Sequence, residues 1–400
     1  MKDKSVLFIA YDSLTKPILQ SQGLPHLRML CRNGFRCGLV TFETKAPDRL
    51  EAEKLLGPVR WYPVRQRLLR LKPQSLWDIL QGVFRVFFIL LKDRYAILHC
   101  RSHIAEAIGL VNSLLLRKKN IFDMRGLYPD EYVLSGYIRK RSFLYKLYKS
   151  LEYVEVKLCS RVVVVSERFR KYINLLYLHD RPGSGKIRVI PCAADLSRFR
   201  YNSPARRRIR TALNLEKRLV FVYSGSLAEW HLWRKSIDFF RVIRKRIRNA
   251  FFLFLTYEPS RPVEEYFKEK KVNSRDFRIL NLRSEDVPSY LLAGDFGLMF
   301  IRPDISKQVC SPIKFGEYLA CGLPVITNYG IGDTARYIGR YKTGLLYTMD
   351  ELSRPGMINM KFMTESGKVK RLNGPAVARR FFDLRSAVRA YRRIYEELLS

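Results

Sequence analysis

Lys314 and Glu317 stand three residues apart inside the stretch CSPIKFGEYLACGLPVITN, which runs from Cys310 to Asn328. On an α-helix that spacing puts both side chains on one face. A helix start carries free N–H groups and the positive end of the peptide dipole, so it favours anions. A lysine in the first turn makes this a site for a diphosphate, and the glutamate further in can accept from a pair of sugar hydroxyls. The same spacing also describes a surface Lys–Glu pair worth about a few tenths of a kcal/mol. Spacing alone leaves both open.

The surrounding residues must place that pair. Ser311 can accept from the free amides of a helix start, and Pro312 suits the first helical position. Residues 313–321 then predict a helix, with Gly322 as its left-handed cap and Pro324 preventing continuation. VIT follows as a buried strand, bounded by Asn328 and Gly330. In the first half, apolar runs predict strands at 6–10, 37–42, 96–100, 120–124, 161–166 and 187–190. In the second half they predict strands at 219–225, 250–257, 277–280, 296–300 and 324–328. Continuous apolar runs alternating with helical patterns indicate two doubly wound, parallel α/β domains. The predicted division is 1–195, 196–375 and a basic amphipathic C-terminal helix at 376–400.

Other candidates follow from position. Arg101, Asp123, Arg125 and Glu131 come after strand carboxyl ends, where open α/β sheets bind ligands. Asp123 and Arg125 equally suit an ion pair closing a loop. Gly23, after the first strand, either lets a backbone approach a ligand or merely leads into a helix. PGSGK at 182–186 lacks the spacing of a phosphate loop and reads as a turn.

Composition narrows the classes. The 400 residues carry 74 Lys and Arg against 37 Asp and Glu, a net charge of +37. Such a charge points to an acidic partner: nucleic acid, an anionic membrane or phosphorylated substrates. The basic clusters lie at helical spacing without interleaved aromatics, which argues against a base-stacking platform and against nucleic acid. Residues 60–92 combine Arg60, Arg65, Arg67, Arg70 and Lys72 with Trp61, Tyr62, Trp77 and an apolar segment, the makings of an interfacial membrane element; a buried helix with a basic rim is the alternative. Seven scattered cysteines suit a reducing compartment. His99 and His103 lack further ligands nearby, and no metal site is expected. The first apolar run is too short for a signal peptide. The expected location is cytoplasmic, or peripheral at the inner face of the plasma membrane.

CSPIKFGEYLACGLPVITN resembles the signature of retaining, two-domain GT-B glycosyltransferases of the family 4 group, in the branch reading Ser-Pro-Thr-Lys-x-x-Glu-Tyr-Leu-Ala. FDMRGLYPDEY (122–132), VIPCAADLSRF (189–199), FVYSGSLAEWH (221–231) and GIGDT (330–334) resemble its further motifs in the same order. The resemblance implies two Rossmann-like domains facing a central cleft, the C-terminal helix returning to the first. It implies an acceptor-binding first domain and a donor-binding second domain. Glu317 would hold the donor's ribose and Lys314 its diphosphate, with Ser311, the amides near Gly225 and Ser226, and Gly23 also on the donor. Asp123 and Arg125 would be catalytic in the sense of positioning, with Arg101, Gly126 and Glu131 on the acceptor or donor-sugar side.

Two departures accompany it. Val309 stands where most of the family has a first glutamate. Ser226 replaces an arginine, with Lys235 as a loose stand-in for the lysine that follows. The implied reaction is metal-independent transfer from a nucleoside-diphosphate sugar to a glycan or lipid-linked acceptor, with retention, in cell-surface polysaccharide or glycolipid synthesis. No cofactor is implied. An epimerase or phosphorylase of the same architecture and a basic nucleic-acid-binding protein remain the alternatives.

Overall fold

A computed structural model describes residues 3–66, 74–179, 185–365 and 373–400. The chain forms two compact units, Met1–Pro191 with Arg385–Ser400, and Cys192–Leu384.

The first unit is built on seven parallel strands: β1 (Ser5–Ala10), β2 (Arg36–Glu43), β3 (Arg60–Arg65), β4 (Ile97–Arg101), β5 (Lys119–Met124), β6 (Arg161–Val164) and β7 (Ile187–Val189). Their order is β3-β2-β1-β4-β5-β6-β7. The order reverses between β1 and β4, where such sheets bind ligands. The main crossover helices are α1 (Leu24–Arg32), α2 (Gln74–Asp93), α3 (His103–Leu115) and α4 (Phe143–Leu158). Right-handed crossovers running in one direction along a sheet lie on one face. That rule puts α2, α3 and α4 together, and α1 on the other face.

Residues 60–65, expected as part of an interfacial element, form the edge strand β3. Tyr62 and Val64 point inward while Arg60, Pro63 and Arg65 are exposed. An edge tolerates the proline. Arg60 is held by Asp93 at 2.7 Å, while Arg67, Arg70 and Lys72 lie outside the described residues.

The second unit has six parallel strands: β8 (Leu219–Ser224), β9 (Ala250–Thr256), β10 (Phe277–Asn281), β11 (Phe296–Met299), β12 (Val325–Asn328) and β13 (Gly344–Tyr347). The order β10-β9-β8-β11-β12-β13 puts its switch point between β8 and β11. Stacked rings fill one side of the sheet, Phe221 on Phe296 at 5.3 Å and Phe240 on Phe252 at 5.2 Å. Three helices matter below: α5 (Trp233–Arg246), α6 (Ile313–Ala320) and α7 (Asn373–Phe381).

The C-terminal helix expected over 376–400 is two helices, α7 and then α8 (Leu384–Leu399). The break is made by backbone pairing. Ala194 N–H donates to Phe382 O at 2.8 Å, and Leu384 N–H donates to Ala194 O at 3.1 Å. Phe382 is buried edge-on against Phe315. These contacts draw 192–195 and the end of α7 into the second unit. The expected return of the C-terminal helix to the first domain is made by α8 alone. Its Val388, Tyr391, Ile394 and Tyr395, on one helical face, are buried there. Tyr391 OH donates to Asp123 Oδ1 at 3.1 Å, and Tyr395 OH lies 2.6 Å from His99 Nδ1.

Candidate functional site

In the second unit, α6 ends as its sequence requires. Gly322 has φ +74°, its N–H donates to Leu319 O at 3.0 Å, and Leu323 N–H donates to Tyr318 O at 2.8 Å. Both bonds satisfy carbonyls that the helix leaves open. The start differs from expectation. Pro312 is the N-cap and no side chain caps the helix. Ser311 Oγ accepts instead from Cys192 N–H at 3.2 Å, because the chain entering the unit at Cys192 runs past it.

Lys314 is not a surface residue: it is 7% exposed. Its Nζ lies 3.4 Å from His231 Nδ1 and 4.8 Å from the centre of the Tyr223 ring. Beside it is Gly225, where β8 ends with φ +147°, a conformation that favours glycine. Tyr223 OH donates to Ser226 O at 2.6 Å and shapes the turn. The turn after β8 is zipped to the chain after β11. Leu232 N–H donates to Phe300 O at 3.0 Å, and Arg302 N–H donates to Trp230 O at 2.9 Å. Lys314, Gly225, Ser226 and Glu317 therefore come together at the sheet's switch point, where a doubly wound fold receives ligands.

Burial perturbs both charged groups of the pair. Burial lowers the Lys314 ammonium to about 7 from the usual 10.5, with Glu317 opposing the shift. Burial also raises the Glu317 carboxyl to about 7, against the pull of Lys314 and Arg198. Glu317 keeps part of its surface open to solvent. His231 is pushed down to about 2, first by burial and then by the charges of Lys314 and Lys307, so it stays neutral.

Lys307 is a residue that sequence reasoning missed. It is buried, with its Nζ 4.3 Å from the centre of the Trp230 ring. The GIGDT loop braces its turn: Gly332 N–H donates to Lys307 O at 3.1 Å, and a side chain on Gly332 would collide with Cys310 O. Lys235, the loose stand-in, instead donates to Ser353 Oγ at 3.2 Å. DISKQVC carries no pattern that marks Lys307 in advance. Val309, where most of the resembled family has a glutamate, is buried.

The first unit has its own cluster at the carboxyl ends of β4 and β5. Asp123 is buried and accepts from Arg125 Nη1 at 3.3 Å and from the Tyr391 hydroxyl at 3.1 Å, with Arg101 Nη1 at 3.9 Å and His99 Nε2 at 3.4 Å beside it. Its carboxyl is held well below the usual carboxylate range; burial opposes this, but Arg125, His99 and Arg101 outweigh it. Arg125 also donates through Nη2 to Gln22 Oε1 at 2.7 Å. Asp123 thus fixes the Arg125 guanidinium and anchors α8. Gly126 leaves room for the Glu131 carboxylate, whose Oε1 would stand 2.9 Å from a Cβ there. Gly23 joins two helices in a right-handed conformation, and a Cβ on it would stand 2.5 Å from Leu19 Cδ1. Packing accounts for that glycine. Asp12, just after β1, was also missed; burial raises its carboxyl while Arg101 and Lys16 lower it.

Among the described residues no group of three or more His, Cys, Asp and Glu could hold a metal ion. No curated protein matches the chain by sequence. Residues 26–198 match the family described as Glycosyltransferase Family 4. Three solved structures are similar over nearly the whole chain. Sucrose-phosphate synthase from Thermosynechococcus elongatus is 16% identical with TM-score 0.78, covering 99% of each chain. Anabaena HepE in complex with UDP and glucose is 13% identical with TM-score 0.70, covering 99% of this chain and 100% of its own. WaaG, a glycosyltransferase involved in lipopolysaccharide biosynthesis, is 16% identical with TM-score 0.65, covering 96% and 98%. At these identities the structures speak for the fold, and the family match speaks for the chemistry. The chain is a glycosyltransferase of the GT-B type of fold, with a Glycosyltransferase Family 4 region at 26–198.

Proposed function

We propose that the enzyme moves a sugar from a nucleoside-diphosphate sugar to a glycan or lipid-linked acceptor, with retention and without a metal ion, in the synthesis of a cell-surface polysaccharide or glycolipid. The observation that carries the donor half is the buried Lys314 ammonium, set in the first turn of α6 at the switch point of the second unit. Breaking the bond between the sugar's anomeric carbon and the diphosphate oxygen leaves negative charge on the diphosphate. Lys314, Lys307 and the first amides of α6 meet that charge in a site with little water, where a fixed cation is worth most. Glu317 accepts from the ribose hydroxyls. The acceptor hydroxyl forms the new bond to the same carbon, and its proton passes to the departing phosphate oxygen. The first unit, with Arg101, Arg125, Gly126 and Glu131 at its strand ends, takes the acceptor.

A uridine nucleotide is the first donor to test, since the similar HepE structure holds UDP. Calorimetric titration of UDP and the other nucleoside diphosphates into wild type, Lys314→Met and Glu317→Ala tests the reading. One nucleotide should bind wild type, and both variants should lose at least about tenfold, a charged hydrogen bond being worth about 1.5–3 kcal/mol. Equal affinity in all three proteins would sink the assignment.

A further inference from the structure

Exposed large apolar side chains are unevenly placed. Among the described residues the second unit shows Tyr201, Tyr257, Tyr329 and Met357, and all the others belong to the first unit. Most of those lie on one layer. On α2 they are Leu76, Trp77, Leu80, Phe84, Phe88 and Leu91. Rotating 100° per residue, these six fall within one stripe about 120° wide. The opposite side of α2, with Val86, Ile89 and Leu90, packs on the sheet. Helix α4 repeats the arrangement with Phe143, Leu147, Leu151, Val154 and Leu158. Between them α3 adds Val111, Leu114 and Leu115. Asn112 Nδ2 on α3 donates to Val83 O on α2 at 3.2 Å, so these two stripes are neighbours.

A contiguous outer layer of this kind exceeds what single surface apolar residues explain. Phe84 and Phe88 are 65% and 61% exposed, which no folding requirement demands. The layer has a basic border. Exposed Arg85 and Lys92 flank the α2 stripe, Arg117 and Lys119 follow α3, and Lys146 and Lys157 flank the α4 stripe. Arg65 and Arg85, with Phe84 and Phe88, also line a groove of about 400 Å³ beside β3. Apolar side chains that can dip, beside cations that remain at the surface, match the boundary of an anionic bilayer. No helix among the described residues is long and apolar enough to cross a membrane. A second copy of this chain is the poorer occupant, because it would set one basic border against another.

We propose that the outer face of α2, α3 and α4 docks on an anionic phospholipid surface, with the Arg65–Arg85 groove beside the head groups. The face is separate from the Lys314 site, so the proposal stands whether or not the donor assignment does.

Flotation with phosphatidylcholine vesicles, and with vesicles of an equal mixture of phosphatidylcholine and phosphatidylglycerol, tests it. The protein should float with the mixed vesicles only, and less so as salt rises. Arg85→Gln with Lys92→Gln should lower partitioning about thirtyfold, each basic residue at such a surface being worth about fivefold. Phe84→Ser with Phe88→Ser should lower it at least about tenfold. Circular dichroism and an unchanged unfolding midpoint establish that these surface variants fold. Light scattering reads the competing occupant. Absence of flotation, flotation that ignores all four substitutions, or a dimer that the phenylalanine variants split without any vesicle binding would each overturn the proposal.

Discussion

The Lys314 amine occupies the space that a side chain on Gly225 would need: a Cβ there would stand 2.5 Å from Nζ. The backbone also calls for glycine, since φ +147° is a conformation that other residues adopt only under strain. Two motifs some ninety residues apart in the chain thus fit as one unit, the turn after β8 and the lysine of α6. Each fixes the other.

From this contact we expect Gly225→Ala to weaken nucleoside-diphosphate binding about tenfold or more, because strain of about 1–3 kcal/mol and displacement of the amine act together. Calorimetry reads the affinity, and thermal unfolding reports whether the fold survives. Wild-type affinity in the variant would mean that the amine can swing aside at no cost.

The buried pair should leave a mark on stability against pH. Burial lowers Lys314 to about 7, while in the unfolded chain it titrates near 10.5. Between those values the unfolded chain binds more protons, so this residue's contribution to stability rises with pH, by up to about 1.4 kcal/mol per unit. Burial raises Glu317 to about 7 from 4.5. Between 4.5 and 7 the folded chain binds more protons, and stability falls as pH rises. The two effects meet near pH 7. We expect the apo protein to be least stable there relative to a Lys314→Met/Glu317→Gln double variant, as read from urea midpoints. A difference that stays flat with pH would mean that both groups are well solvated.

Much of this was legible in the sequence, for reasons that differ by element. Buried parallel strands such as β1 and β9 are continuous apolar runs, and Gly322 and Pro324 punctuate the end of α6. The edge strands β3 and β13 were missed for different reasons: β13 is a run of only four residues, and β3 is disguised by its arginines and Pro63. The break between α7 and α8 depends on the pairing of Ala194 with Phe382, residues far apart in the chain, and local periodicity carries no trace of it. Lys314 and Glu317 could be found by spacing, yet spacing could not say that Lys314 is buried. Lys307 depends on a contact made by a distant glycine loop. Asp123 could be read as a ligand group or as an ion pair, and in the structure it ties Arg101, Arg125, His99 and α8 together.

Removal of metals tests how the leaving diphosphate is stabilised. With Lys314 and Lys307 supplying the positive charge, turnover should persist in EDTA once a donor and acceptor are in hand. Loss of turnover on chelation, restored by Mg²⁺ or Mn²⁺, would show that the two lysines do not suffice.

Nucleotide binding should also move a proton, with a sign that can be worked out in advance. A diphosphate beside Lys314 favours the charged amine, so the residue's affinity for a proton rises above its free value of about 7. At pH 8 the free protein holds Lys314 mostly neutral and the complex holds it charged, so binding takes up a proton. Glu317 is already mostly ionised in the free protein at that pH. His231 is neutral throughout, held down to about 2. The apparent binding enthalpy at pH 8 should therefore differ between two buffers in proportion to their ionisation enthalpies. Affinity should fall as pH rises above 7, by at most about tenfold per unit. In Lys314→Met the buffer dependence should vanish, even if residual binding can still be measured. Proton release in the wild type, or uptake that survives the substitution, would place the titrating group elsewhere and remove Lys314 from the diphosphate.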